Sequence, residues 1–312
     1  MSEDLGLTNQ PISDLFEHPN DPDQWLDLAL NEAQLKQFKE SGYLHGIKIL
    51  NPEQIKTLGE QLHEMVDPHH EGNEFFYEYH SNESEDPDTA IFHALGAWRV
   101  RTAFHDILWS PAFLVSAFQL LGSNFRLFHD QLFSKPAKHG GVVAWHQDYS
   151  YWTWTTPMDH LTCWIGLDDV DRENGCMYYI PKSHKWGLLE KESLTGDMDA
   201  IREKLTPEQV ADFDNKIPVE MNAGEASFHH PLLMHGSYEN RSDRKRRATL
   251  INVFSDGVIS NRDNDGSNAP GADNYPSVPR GEKMGGSYYP LLVDAEKTFA
   301  QIKGKLPSIK DV

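Results

Sequence analysis

The sequence predicts a mainly β chain, a jelly roll or small barrel preceded by helices. Three observations carry that prediction. Short β-branched and aromatic segments recur through the middle of the chain: FRLFHDQLF, VVAWHQD, LTCWIGL, CMYYI, IPVEM, ASFHH and ATLINVF. Turn residues punctuate them, notably Gly140-Gly141, Asn174-Gly175 and Ala223-Gly224. About eight strands within roughly 130 residues is the density of a jelly roll or barrel. Strands and helices do not alternate, which argues against a doubly wound α/β fold.

The elements follow in order. Residues 1 to about 25 read as an irregular polar arm. NEAQLKQFKES has apolar positions at helical spacing and stops at Gly42. YLHGIKIL reads as a short strand. NPEQIKTLGEQLHEMV begins with Asn51 as cap and Pro52 at the first helical position. SPAFLVSAFQLLG repeats that grammar, with Ser110 capping and Gly122 closing. Between these helices, HHEGNEFFYEYHSNESEDPD is acidic and turn-rich and is expected to be a surface loop. TPEQVADF, capped by Thr206, is one helical insert among the strands. The stretch from Ser255 to Gly286 is dense in Gly, Asn, Asp, Pro and Ser and reads as a long irregular loop. The expected organisation is one domain over 1–312, with a mainly helical N-terminal segment over 1–122, a jelly-roll core over 123–256 and a loop-rich C-terminal segment over 257–312.

Composition bounds the function. Lys and Arg number 28 against 48 Asp and Glu, a net charge of −20. That charge repels phosphate backbones and anionic bilayers, so neither nucleic acid nor a membrane is an expected partner. Hydrophobic residues at 38 % and charged residues at 24 % fit a globular chain. The two cysteines, Cys163 and Cys176, form no CxxC pair, and the start MSEDLGLTNQ has no apolar core like a signal peptide. A reduced, cytoplasmic protein is the expectation.

One stretch points to chemistry. In WHQD, a strand would project His146 and Asp148 to one face, with Trp145 and Gln147 on the other. A lone His-x-Asp pair is common by chance, and a catalytic metal needs a third ligand. His235, in LLMHGSYEN, follows an apolar run on a later strand and is the chosen partner. Its rivals are His229 and His230, in FHHPLLMH. His139, His160 and His184 read as ordinary polar residues. Two histidines and one carboxylate make the facial triad of non-haem Fe(II) oxygenases, which leaves three coordination positions free. Downstream, RSDRKRRATL concentrates five cations in an acidic protein. Most of them belong to a solvated turn, but one arginine turned inward would offer a fork for a carboxylate.

These pieces together resemble the phytanoyl-CoA dioxygenase family of Fe(II)/2-oxoglutarate-dependent oxygenases. The resemblance runs through LNEAQLKQFKESGYL, HDQLFSKPAKHGGVVAWHQDYSYW, LTCWIGLDDVDRENGCMYYIPKSHKWG and LLMHGSYENRSDRKRRATLINVFSDG, roughly residues 30 to 257. It implies a double-stranded β-helix core with iron held by His146, Asp148 and His235. It implies 2-oxoglutarate and dioxygen as co-substrates, with Arg246 as the anchor of the distal carboxylate and Arg247 as the fallback. Ser237 is its implied second contact and Trp164 an implied wall. Lys135 and Gln131 fall where the family places polar contacts to the co-substrate. One departure is Pro181-Lys182-Ser183-His184, where the family often has glycine second, a change expected to alter the turn. Halogenating relatives replace the triad carboxylate with a small residue, so Asp148 implies hydroxylation of a small organic or acyl substrate. Tyr149, Tyr151, Trp152 and Trp154, just past Asp148, are candidates for the substrate side or for core. The rival functions are an isomerase-like metal enzyme on a cupin-type roll, a non-catalytic binding module, and a nucleic-acid demethylase, which the net charge of −20 disfavours. Oligomeric state and the role of loops 69–90 and 256–290 as lids are left open.

Overall fold

In the computed structural model, residues 3–312 are described apart from 87, 192, 195, 196, 264–274 and 303. The helices are α1 (Pro22–Leu26), α2 (Glu32–Ser41), α3 (Pro52–Met65), α4 (Thr102–Asp106), α5 (Pro111–Leu121), α6 (Pro207–Asp214) and α7 (Ala295–Thr298). Asn31, Asn51 and Thr206 each accept the third backbone N–H of their helix while that residue's Gln side chain bonds back, so three reciprocal capping boxes fix where α2, α3 and α6 start. Ser110 holds the cap position of α5 without a side-chain cap bond, so Pro111 alone supports that start. Gly42 and Gly122 close their helices in the left-handed conformation at φ 84° and 70°.

The strands are β1 (Tyr43–Lys48), β2 (Glu78–His80), β3 (Phe92–Leu95), β4 (Phe125–Lys135), β5 (Val143–His146), β6 (Thr155–Thr156) and β7 (His160–Gly166). They continue as β8 (Met177–Tyr179), β9 (Ile217–Val219), β10 (Glu225–His229), β11 (His235–Ser237), β12 (Arg246–Ser255), β13 (Ile259–Ser260) and β14 (Leu291–Val293). A large sheet runs β1-β10-β7-β12-β4-β3-β2, with β14 also pairing β4, and a small sheet runs β5-β11-β8-β9. All their pairings are antiparallel. This is the jelly-roll architecture that the strand spacing predicts.

The period of two along each strand sorts the side chains. On β7, Cys163 and Ile165 face the helices and join the main apolar core with Phe113, Phe228 and Ile251. Thr162 and Trp164 face the small sheet. Each fully buried Leu or Phe of the helical layer stabilises the fold by about 2–3 kcal/mol, and that layer holds the large sheet rigid behind the cavity.

Two expectations are corrected. The mainly helical segment before residue 122 gives the large sheet the expected strand β1 and also β2 and β3, which its sequence did not announce. The acidic segment 69–88 is not wholly a loop, since Glu78–His80 forms the sheet's edge strand. A three-residue charged strand at an edge looks like loop sequence because edges are kept short and polar. In the Pro181–His184 turn, Lys182 stands where the family often has glycine and takes a left-handed φ of 71°. Part of the loop at 256–290 lies outside the described residues, and within it β13 pairs with β6. No single helix among the described residues is long and apolar enough to cross a membrane.

One buried carboxyl sits apart from any site. Asp130, 1 % exposed on the helix-facing side of β4, accepts the N–H groups of Gly96 and Trp98 at 3.0 and 2.9 Å. Burial pushes it up to about 7, against the pull of those two N–H groups and of Arg99. The folded value lies above the unfolded one, so its contribution is full below about pH 4 and is lost as pH rises through about 7. Asp130→Asn removes that dependence. Relative to the parent, the variant should gain about 3 kcal/mol between pH 5 and pH 8. Urea unfolding at the two pH values measures it; an unchanged difference would refute the assignment.

Candidate metal centre and its cavity

His235 is the first residue of β11 and lies directly opposite His146, the last residue of β5. That register puts the two imidazoles face to face, with ring centroids 4.1 Å apart. Asp148 is not on the strand with His146, as the sequence suggested, but opens the 3-10 turn Asp148–Tyr151 that follows. The turn still brings its carboxylate to the same point. Asp148 Oδ1 lies 3.6 Å from His146 Nε2 and 3.5 Å from His235 Nε2. Among the described residues, this is the one group of three candidate ligand atoms that all lie within 4.8 Å of one another.

The protonation pattern suits a metal. Each imidazole donates its Nδ1–H to a backbone carbonyl at 2.8 Å, His146 to Ala144 and His235 to Leu233. The proton is therefore on Nδ1, and the lone pair of each Nε2 faces Asp148 Oδ1. Burial, then the neighbouring His146, pulls His235 well below the usual imidazole range, so it is neutral. Burial alone would raise Asp148. The surrounding histidines, His235 foremost, overcome that and hold it well below the usual carboxylate range.

His229, a rival ligand on sequence grounds, has a different place. Its Nε2 donates to Asp148 Oδ2 at 3.0 Å, and Thr162 Oγ1 donates to the same oxygen at 2.6 Å. Behind it, Tyr179 OH contacts His229 Nδ1 at 3.1 Å and Ser227 Oγ at 2.6 Å. With Tyr179 OH donating to His229 Nδ1, the chain has one consistent direction, Ser227 to Tyr179 to His229 to Asp148. Two donors occupy Oδ2, which leaves Oδ1 for a cation. The period of two on β10 and β7 would have put His229 and Thr162 on this face, but only the sheet order shows that they meet Asp148.

The triad opens into a cavity of about 300 Å³ between the sheets. Trp164, Gln131, Ser237, Tyr151, Trp152, Trp154 and Arg246 line it. Arg246, on β12, is 2 % exposed and spends Nε and Nη2 on one acceptor, Gly175 O, at 3.2 and 3.0 Å. Its guanidinium lies 5.2 Å from the centre of the Trp164 ring. Burial pulls it down to about 10, so it is still charged at neutral pH. It has no carboxylate partner among the described residues, the arrangement expected of a group that awaits an anion. Arg247, the next residue, faces the other way and pairs with Asp168 through two bonds of 3.0 and 2.7 Å. Other cations of the cluster are also spent: Arg241 pairs with Glu239 and Arg244 with Asp171.

Two sequence candidates lie off the cavity wall. Lys135, fully buried, donates to Ser237 Oγ at 2.7 Å and Tyr238 O at 2.8 Å, and so stands behind Ser237. Burial, then Arg246, pulls it well below the usual ammonium range. Tyr149 turns away and donates to Thr155 O at 2.5 Å. Sequence reading missed a third group. Glu83 Oε2 lies 2.7 Å from His93 Nδ1, and His93 Nε2 donates to Gln131 Oε1 at 3.1 Å. Both residues line the cavity, so the acidic segment borders the site.

Known proteins resemble this chain in sequence and in fold. The model of the phytanoyl-CoA dioxygenase family matches residues 38–248. A rice protein (Oryza sativa subsp. japonica) called phytanoyl-CoA dioxygenase 1 is 26 % identical over 260 residues, 72 % of this chain and 89 % of that protein. A probable phytanoyl-CoA dioxygenase of Caenorhabditis elegans is 31 % identical over 141 residues, 43 % of this chain and 44 % of that protein. The chain thus spans less than half of the nematode relative. Among solved structures, the non-heme alpha-ketoglutarate-dependent carbocyclase SnoK of nogalamycin biosynthesis superposes with a TM-score of 0.67 at 21 % identity. That match covers 88 % of this chain and all, 100 %, of SnoK, and it shows the shared fold.

Proposed function

The chain belongs to the phytanoyl-CoA dioxygenase family of Fe(II)/2-oxoglutarate-dependent oxygenases, and from that premise we propose that it hydroxylates a C–H bond of a small organic molecule. The observation that carries the reading is the pairing, within one cavity, of the His146–Asp148–His235 cluster with an unpaired buried arginine. His146 Nε2, Asp148 Oδ1 and His235 Nε2 would hold Fe(II). Arg246 and Ser237 would take the distal carboxylate of 2-oxoglutarate. When bound, the iron and co-substrate supply the oxidation: dioxygen is consumed, 2-oxoglutarate leaves as succinate and CO2, and a substrate C–H becomes C–OH.

The remaining work belongs to the protein. Lys135 donates to Ser237 Oγ and so frees the serine proton to point at a ligand carboxylate. Trp164 gives the co-substrate a flat wall. Gln131, its oxygen occupied by His93, turns its amide N–H groups to the cavity. Thr162 and His229 keep Asp148 in one orientation. Tyr151, Trp152 and Trp154 exclude water and border the substrate. An isomerase-like enzyme would have no use for Arg246 as it is placed, and the complete triad beside that arginine argues against a non-catalytic binding module. A small-molecule substrate fits the cavity, the charge of −20 argues against a nucleic-acid or membrane partner, and two free cysteines fit a reducing, cytoplasmic setting.

The test is anaerobic. Fe(II) is added to the metal-free protein, 2-oxoglutarate is titrated in, and the visible spectrum is recorded with His146→Ala as control. The expected result is a charge-transfer band that the variant lacks, followed by succinate release once oxygen is admitted. A well-folded sample that gives no band would overturn the oxygenase reading.

A further inference from the structure

The cavity beside the metal triad is bounded by Phe128, Tyr151, Trp152, Trp154, Trp164 and Tyr275. Aromatic faces on several sides fit a flat ring, and about 300 Å³ fits a compact one. The polar atoms on its walls say what the ring should carry. Away from the metal triad, each carboxylate and amide oxygen on the walls has a neighbouring histidine. Glu83 is held by His93, Gln131 Oε1 accepts from His93, and Glu78 lies 3.7 Å from His80 Nε2. Lys191, the cation at this end, has its ammonium 4.2 Å from the Tyr151 ring centre. One lysine is too little for a diphosphate or a coenzyme A tail.

Besides the donors assigned to the co-substrate, one more is buried in the wall. His129, 1 % exposed on β4, lines the cavity, and its Nε2 has no hydrogen-bond partner. Its Nδ1 lies 3.2 Å from the amide nitrogen of Asn252. With the Asn252 amide nitrogen donating, Nδ1 accepts and the ring proton sits on Nε2. Burial holds His129 down at about 3, so the ring is neutral and the assignment stands at any working pH. A buried N–H without a partner is costly in a folded protein. Its position fits recognition of a substrate. His129 pairs with Asn252, which pairs with Thr162, the residue that donates to Asp148. The donor is therefore two strands away from Thr162, about 10 Å along the row. Trp152 meets the His129 ring edge-on at 5.6 Å and frames the same space.

We propose that this chamber takes a compact ring-bearing substrate with a neutral oxygen acceptor, and that His129 Nε2–H is the group that recognises the oxygen. The proposal deepens the oxygenase reading and rests on it for the oxidation. Recognition itself is testable without turnover.

The probes are acetophenone, toluene and benzylamine, titrated into the full chain without iron and followed by quenching of tryptophan fluorescence. Acetophenone is expected to bind at least about 10-fold tighter than toluene. His129→Phe should bring the two to parity and leave toluene unchanged. In the parent protein labelled with 15N-histidine, acetophenone should shift one neutral Nε2–H resonance and toluene should not, a measurement that needs no variant to fold. Equal binding of acetophenone and toluene, or a preference that survives His129→Phe, would overturn the proposal. Tightest binding of benzylamine would overturn it too, and would assign the chamber to a cation held by its carboxylates, Glu78, Glu83 and Asp148. Because no metal is present, failure of the oxygenase reading would show in the anaerobic spectrum and not here.

Discussion

Asp148→Ala is expected to abolish tight Fe(II) binding while the jelly roll stays folded. Three donors converge, and Asp148 Oδ1 is the one that both Nε2 atoms face, at 3.6 and 3.5 Å. Changes behind a metal ligand cost about 10- to 100-fold in affinity, so loss of the ligand itself should exceed about 100-fold. The fold has other support: the helical layer and the large sheet pack without the triad. Anaerobic calorimetry with Fe(II), beside circular dichroism of the variant, separates the two effects. Thr162 and His229 would lose their common acceptor in the same variant, so Asp148→Asn is the gentler control. It keeps an oxygen for them but no charge. Parent-like Fe(II) affinity in either variant would remove Asp148 from the metal site.

Arg246→Met should act with opposite signs on two measurements. For 2-oxoglutarate, loss of the buried guanidinium removes the partner of a charged carboxylate, a cost of about 2–5 kcal/mol. The dissociation constant should rise roughly 30-fold to more than 1,000-fold. Without the co-substrate, the same change removes a buried cation that has no carboxylate partner among the described residues. Replacing such a charge with an apolar side chain of similar length is neutral or stabilises by about 1–4 kcal/mol. Arg246→Lys should not rescue binding, because a point charge cannot reproduce the planar fork or its stacking on Trp164. Fluorescence titration with 2-oxoglutarate and thermal unfolding of the ligand-free variant give the two readings. Unchanged affinity would move the anchor elsewhere, and Arg247, tied to Asp168, is poorly placed to be it.

What the sequence disclosed follows from how local each feature is. The helix starts at Asn31, Asn51 and Thr206 are written in four residues each, and the capping boxes are where those letters put them. The His146–Asp148 pair is two residues apart, so it was visible, although a turn and not a strand aligns it. Choosing His235 over His229 from FHHPLLMH needed the resemblance as well as the strand pattern, since both histidines are buried and near strand ends. The structure brings His235 to the triad and turns His229 to the far oxygen of Asp148. Groups built by distant pairing were not legible. Glu83, His93 and Gln131 meet only because β3 pairs with β4 across a long connection. His129 follows the period of two from Phe133 and Gln131, but the bulge at Phe128 breaks that period and sends Leu127 to the helix-facing core. Lys135 falls, with Gln131, where the resemblance implies a co-substrate contact, but it donates to Ser237 Oγ and lies off the cavity wall.

Two of the three triad residues ride on the small sheet, while the third is held from behind by Thr162 and His229 of the large one. A bound ion would therefore rivet the halves of the roll together. Anything that binds the folded chain alone raises its stability, by about 2.7 kcal/mol at a hundred times the dissociation constant. Starved of iron, the two sheets would part more readily and expose the strand edges between them to proteases. Iron supply would then govern how long each copy survives as well as whether it works, and cells short of the metal would clear the idle protein first.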